Sequence, residues 1–171
     1  MKITEIKTYP LAYEGRVSLF IEVLTDNGLK GLGEVGVARM GKAVIAAIEH
    51  LEERLIGEDP WESEKLWQIM FRGNFFPPGV IYSSAISAID IALWDLKGKS
   101  VNLPLYKLLG GPVRNKVVCY PHTQGSTTQE LVENSKRAVD EGWKFVRWGQ
   151  PETHGVFEEA ELTGQMPGKL E

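Results

Sequence analysis

The chain has a single cysteine, Cys119, and no stretch approaching the ~20 consecutive apolar residues of a membrane helix. One cysteine excludes an intramolecular disulfide and a cysteine-rich zinc site. Basic residues are the minority, with 19 Lys+Arg against 23 Asp+Glu and a net charge of −4. A nucleic-acid groove needs the opposite balance. The opening MKITEIK lacks the apolar region of a signal peptide. No internal repeat or low-complexity run is present. These absences set the first expectation: a soluble, cytoplasmic, globular chain with no nucleic-acid or membrane partner. What is present is ordinary for such a chain. Its 171 residues, 25% charged and 43% apolar, suffice for one domain or two small ones with a buried core.

Residues 3–13 and 17–25 are rich in β-branched and aromatic side chains and read as strands. Asp26-Asn27-Gly28 is a hairpin turn signal leading to a third strand, 29–35. The first 35 residues thus predict a three-stranded antiparallel meander. The next segments read as helices. Val44, Ile48, Leu51 and Leu55 form an amphipathic stripe over 43–55, and Trp61, Leu66, Trp67 and Met70 form another over 61–71. Gly73 to Gly79 is a breaker-rich loop. A long helix over 83–98 carries small residues suited to close contacts on more than one side. After Gly110-Gly111-Pro112 the pattern changes. Residues 116–122 (KVVCYPH) read as a strand, 126–141 as a helix with Ser126, Thr127 or Thr128 as cap, and 143–148 (WKFVRW) as a strand. Strand, helix, strand is a βαβ unit, the building block of α/β barrels. The domain expectation is 1–112 as an α+β module, 113–150 as the start of a barrel, and 151–171 as a tail without a clear signal.

Few motifs carry chemistry. Gly31-Leu-Gly33-Glu-Val-Gly36 matches G-x-G-x-x-G, but it ends a hairpin strand rather than opening a βαβ unit. We therefore expect packing glycines and no nicotinamide cofactor. Of the three histidines, His50 falls on the solvent side of a helix and His154 in the tail. His122 falls at the C-terminal end of a barrel-type strand, where active-site groups project. It is either a satisfied structural histidine or a site residue. Arg147 ends the next strand. Strand alternation would put Phe145 and Arg147 on one face, with Val146 and Trp148 toward the helices. An arginine in a barrel mouth needs a partner. That partner is either an internal acid, rim solvent or a substrate carboxylate, which the guanidinium fork fits bidentately. Phe75, Phe76 and the remaining tryptophans suit a core or an interface better than a cofactor contact.

One segment is more specific. Ala85-Ile-Ser-Ala88-Ile-Asp90-Ile-Ala92-Leu-Trp-Asp95-Leu-Lys-Gly98-Lys99, followed by Pro104-Leu105-Tyr-Lys-Leu-Leu-Gly110-Gly111, closely resembles the signature helix of the mandelate racemase/muconate lactonizing branch of the enolase superfamily. The resemblance spans residues 1 to about 150 and gives those signature positions a structural role. It implies an α+β capping domain (meander plus helices), followed by the first β-α-β of a truncated TIM-type barrel.

The resemblance also implies a chemistry. Family members remove the proton α to a carboxylate, and Mg²⁺ stabilises the enediolate. Charge developing on the carboxylate must be met by metal and cationic donors. Substrate contacts from the capping domain would come from Tyr13, Glu14 and Arg16, and from the segment around Arg39. In many members the second barrel strand ends in Lys-x-Lys. Here those positions are Arg147-Trp148-Gly149, which disfavours a base at the second position. With His122, this better resembles sugar-acid dehydratases of the galactonate/mannonate type. The family's acidic metal ligands lie on the third to fifth barrel strands. A barrel takes about 250 residues, far more than residues 116–171 provide. The expectation is therefore an N-terminal part of a Mg²⁺-dependent dehydratase, with no metal ligands and no complete catalytic set in this chain. Its partners would be a small carboxylate such as an acid sugar and, as an option, a second copy in a homo-oligomer. The rival readings are a non-catalytic binding or assembly module, and part of a racemase, epimerase or cycloisomerase of the same superfamily.

Overall fold

The β-branched N-terminal run forms β1 (Ile3–Tyr13), which pairs antiparallel with β2 (Arg16–Thr25). In turn, β2 pairs antiparallel with β3 (Lys30–Glu34), giving the sheet order β1-β2-β3 and the expected meander. Gly28 adopts φ 84° in the β2–β3 turn, the left-handed backbone that an Asn-Gly turn supplies. Inward-facing Ile21 and Val23 alternate along β2 and are fully buried. The computed structural model describes residues 1–13, 16–37 and 39–148. They belong to two units, Met1–Val113 and Arg114–Glu171.

Helices cover one face of the meander. The first, α1 (Gly41–Glu52), starts two residues before the expected 43 and ends before the expected 55. Even so, Val44, Ile48, Leu51 and Leu55 are all completely buried, so the stripe is sound although its last member sits in the following turn. A 3₁₀ turn, Pro60–Glu62, is capped by the Asp59 carboxylate, which accepts the Trp61 N–H at 3.0 Å. It leads into α2 (Ser63–Arg72), which buries Leu66 and Met70. Trp61, expected on the buried stripe, is instead about half exposed because it lies in that turn. The long helix is α3 (Val80–Ser100), and Ala85, Ile86, Ala88, Ile89, Ala92, Leu93 and Leu96 all lie in the core. A four-residue helix, α4 (Leu105–Leu108), follows. The 73–79 loop presents Phe75 and Phe76 to solvent, 94% and 76% exposed, so this pair is not core.

The small residues of α3 have a specific partner. A Cβ on Gly31 would run into the carbonyl oxygen of Ala92, and one on Gly33 into that of Ala88. The G-x-G pattern thus lets β3 lie directly on the helix backbone. The same helix reaches the outer edge of β3. Asp95 accepts the Leu32 N–H at 2.8 Å, and Lys99 donates to the Lys30 carbonyl at 2.7 Å. Glu52 of α1 does the same at the other edge, accepting the Ile6 N–H at 2.7 Å.

The second unit is smaller. Its strands β4 (His122–Thr123) and β5 (Arg147–Trp148) pair in parallel around α5 (Thr128–Asp140). The βαβ expectation is met, but the strands are much shorter than 116–122 and 143–148. Among the described residues each strand has one partner, and the ladder covers two residue pairs. The expected alternation is also not realised. Trp148 is 54% exposed, because α5 offers little cover and buries only Leu131 and Ala138. Thr127 caps α5 by accepting the Glu130 N–H at 3.2 Å, and Glu130 reaches back to the Ser126 N–H at 2.9 Å. The 151–171 tail, His154, Glu14 and Gly149 lie outside the described residues. No helix among the described residues is long and apolar enough to cross a membrane.

Candidate functional site

The expected contact residues fall in two places, one in each unit. In the first unit, Tyr13 and Arg16 are register partners at the turn end of the β1–β2 hairpin. Antiparallel pairing on both sides of β2 makes β1 and β3 run the same way, so β3 exits at that same end. The Val35 N–H still donates to the Leu19 carbonyl at 2.9 Å beyond β3, and Val35 is buried. Val37 packs against the core, and Arg39 is exposed with φ 64°. The meander therefore brings the Tyr13–Arg16 pair and the exit of β3 to one end of one sheet.

In the second unit, His122 and Arg147 are partners across the parallel pair, and the Arg147 N–H donates to the Pro121 carbonyl at 3.0 Å. Both side chains are exposed. Tyr120 lies parallel to the His122 imidazole, with ring centroids 5.8 Å apart and planes 2° apart. Residues two apart on an extended backbone share a face, which is the signal that could have singled out Tyr120. The turn after β4 is tied to α5. Buried Thr123 shares a hydrogen bond with Ser135 at 3.2 Å, and Asn134 donates to the Gln124 carbonyl at 2.6 Å. A donor-rich cation beside an imidazole at the C-terminal end of parallel strands can hold a carboxylate and neighbouring hydroxyls.

The signature helix contains one group that its sequence hides. Lys97 is buried, its amine donating to Ser63 Oγ at 2.5 Å and lying 4.3 Å from the Trp94 ring centroid. Burial lowers its pKa, with Asp90 and Glu64 opposing the shift. The Asp90 carboxyl is raised, first by burial and then by Glu64, with Lys97 opposing. These groups belong to α2 and α3, and none of them is among the candidate contacts.

Among the described residues, no three of His, Cys, Asp and Glu form a group that could hold a metal ion. They do not fit the Mg²⁺ that the family resemblance implies.

A meander clamped on an alanine-rich signature helix, followed by a parallel strand pair, defines the N-terminal capping domain of the enolase superfamily and the opening of its barrel. Residues 12–110 match the family described as "Mandelate racemase / muconate lactonizing enzyme, N-terminal domain", and the chain belongs to that family. A D-galactonate dehydratase from Verminephrobacter eiseniae is 37% identical over 158 residues, covering 92% of this chain and 41% of that protein. A D-galactonate dehydratase from Variovorax paradoxus is 40% identical over 142 residues, covering 83% and 36%. Among solved structures, an enolase from Pantoea ananatis with bound D-gluconate and Mg superposes with a TM-score of 0.82 at 35% identity, covering 87% of this chain and 36% of that one. The chain thus spans about two-fifths of the length of the curated relatives it matches.

Proposed function

We propose that this chain is the capping and barrel-opening part of a sugar-acid dehydratase of the galactonate type. In this reading the substrate is an aldonic acid that loses water after α-proton removal. Arg147 holds the substrate carboxylate, and His122 contacts a neighbouring hydroxyl or carries a proton. In the same reading, substrate selection falls to Tyr13, Glu14, Arg16 and Arg39 of the capping domain. The observation that carries this reading is the side-by-side placement of His122 and Arg147 at the strand ends, in a chain related to galactonate dehydratases. The position that would supply a lysine base is Gly149, which favours dehydration over racemisation or cycloisomerisation. Mg²⁺ would stabilise the enediolate in the full-length enzymes. No step is assigned to it here, since the described residues offer it no site.

The test has two arms. The purified 171-residue chain, given D-galactonate, D-gluconate or D-mannonate with Mg²⁺, is expected to release no 2-oxo acid. Turnover by that chain would overturn its assignment as an incomplete site. A graft of residues 1–148 onto the remainder of the Verminephrobacter eiseniae relative is expected to dehydrate an aldonic acid. The His122→Ala graft is expected to lose about 100-fold in kcat/KM, the scale of losing one preorganised polar contact. Unchanged kcat/KM in that variant would overturn the role of His122.

A second reading, as an assembly module, draws on exposed apolar side chains. Val117, Val118, Tyr120, Phe145 and Trp148 are all at least 48% exposed around a two-stranded sheet. Such surfaces and unpaired edges promote association. Light scattering that shows a discrete oligomer would favour this reading, and a monodisperse monomer would count against it.

A further inference from the structure

We infer that Asp95 and Lys99 are positioning residues that fix the course of the Val37–Arg39 segment by clamping the outer edge of β3. The link to substrate selection rests on the function proposed above; the clamp itself does not. Three observations carry the inference.

The first is the chemistry of the edge. β3 is five residues long and pairs with β2 on one side only. On its free side, the Leu32 N–H and the Lys30 carbonyl point outward, and α3 takes both. The two α3 side chains also bond each other, Lys99 Nζ to Asp95 Oδ2 at 2.6 Å. A carboxylate acceptor and an ammonium donor make charge-assisted bonds, which are stronger than neutral ones. The result is a closed ring of contacts: Asp95 to Leu32, Lys30 to Lys99, Lys99 to Asp95.

The second is the face that β3 turns to the helix, since the β2 ladder sets its register within the sheet but not against α3. Gly31 and Gly33 are the inward-facing residues of β3 and have no side chains to interlock with the helix. Backbone contact against Ala88 and Ala92 sets how close the strand comes, but it resists sliding along the helix only weakly. The two polar contacts, one helical turn apart at positions 95 and 99, fix where β3 sits along α3.

The third is what β3 leads into. Within a few residues the chain passes buried Val35 and half-buried Val37 to Arg39, whose left-handed backbone is unfavourable for a residue with a side chain. Such a conformation persists where the surroundings over-determine it. Shifting β3 along α3 would carry this segment with it, at the sheet end shared with the 13–16 hairpin.

The test uses the full chain and resolved amide resonances. Asp95→Ala is expected to speed Leu32 amide exchange at least about tenfold, since it frees a donor held by a charged acceptor. Asp95→Ala and Lys99→Met are each expected to shift the Val37 and Arg39 resonances. Asp95→Asn retains an acceptor for Leu32 and is expected to restore slow exchange there. The core amides of Ile89 and Leu93 should exchange as in the parent chain. The inference is overturned if Val37 and Arg39 do not move in either variant. It is equally overturned if exchange rises uniformly across residues 1–113, which would mean a merely structural role. A D-gluconate titration of the parent chain separates the two layers. Failure to perturb Arg39 would count against the substrate-contact reading and leave the clamp standing.

Discussion

His122 and Arg147, 25 residues apart in sequence, stand as register neighbours on two parallel strands, joined by the Arg147 N–H···O=C Pro121 bond at 3.0 Å. The βαβ connection makes this adjacency. The helix between the strands returns the chain so that the second strand starts and ends level with the first. If Arg147 binds a carboxylate through its planar fork, charge alone will not replace it. In the 1–148 graft, Arg147→Lys is expected to raise KM for the aldonic acid by about tenfold, with a smaller change in kcat, because an ammonium cannot bond bidentately. Steady-state kinetics checks this, and an unchanged KM would remove the carboxylate from Arg147.

Gly31 and Gly33 are expected to tolerate no side chain. Gly31→Ala should lower unfolding stability by about 1–3 kcal/mol, the range for forcing an added methyl into a packed contact. Gly36, third glycine of the same motif, has nothing within 4 Å of its would-be Cβ. Gly36→Ala should leave stability unchanged or raise it by up to about 1 kcal/mol. Urea unfolding of the two variants distinguishes a packing motif from a ligand-binding one.

Asp90 predicts a pH dependence of stability. Its folded pKa lies above the ordinary 3.8, so the folded state holds this proton more tightly than the unfolded state. Stability from this group is therefore present at acid pH. It declines as pH rises from 3.8 through the raised folded value. Asp90→Asn removes the titration. The variant's urea midpoint should gain on the parent's as pH rises through that window and level off above it. A constant difference from pH about 4 to about 7 would contradict the assignment.

Thr127 tests the second unit by itself. Thr127→Ala frees the Glu130 N–H that Thr127 caps and should cost about 1 kcal/mol of helix stability. Circular dichroism at helical wavelengths, followed during denaturation of residues 114 onward, would report it. Ser126→Ala keeps the backbone N–H that Glu130 accepts and should have a smaller effect.

Much of this architecture was legible in local patterns. Val44, Ile48, Leu51 and Leu55 lie on one helical stripe, and all four are in the core. Asn27-Gly28 marked the turn that the structure places between β2 and β3. Long-range contacts were not legible in this way. The hairpin context marked Gly31 as a packing glycine, but not its partner, Ala92, 61 positions on. Nothing in the local pattern marked Lys97 for burial, yet it bonds Ser63 and lies over the Trp94 ring. Strand lengths in the second unit were overestimated because β-rich composition records a tendency to pair, not the presence of a partner. For the candidate contacts, spacing brought His122 and Arg147 together. Tyr13 and Arg16 were placed only by register, and Arg39 by the exit of β3.

Glu52 and Asp95 sit at opposite borders of the same meander, each accepting an outward N–H of an outer strand. A foreign strand docking there would have to displace a carboxylate from its backbone donor. The two carboxylates thus work beside other edge protection on β1, where the register shifts between Ile3 and Glu5, Pro10 offers no N–H, and Ile3 bonds the backbone of Gly57 and Glu58. An engineer recombining capping domains would need to carry both carboxylates along to keep the Ile6 and Leu32 donors satisfied.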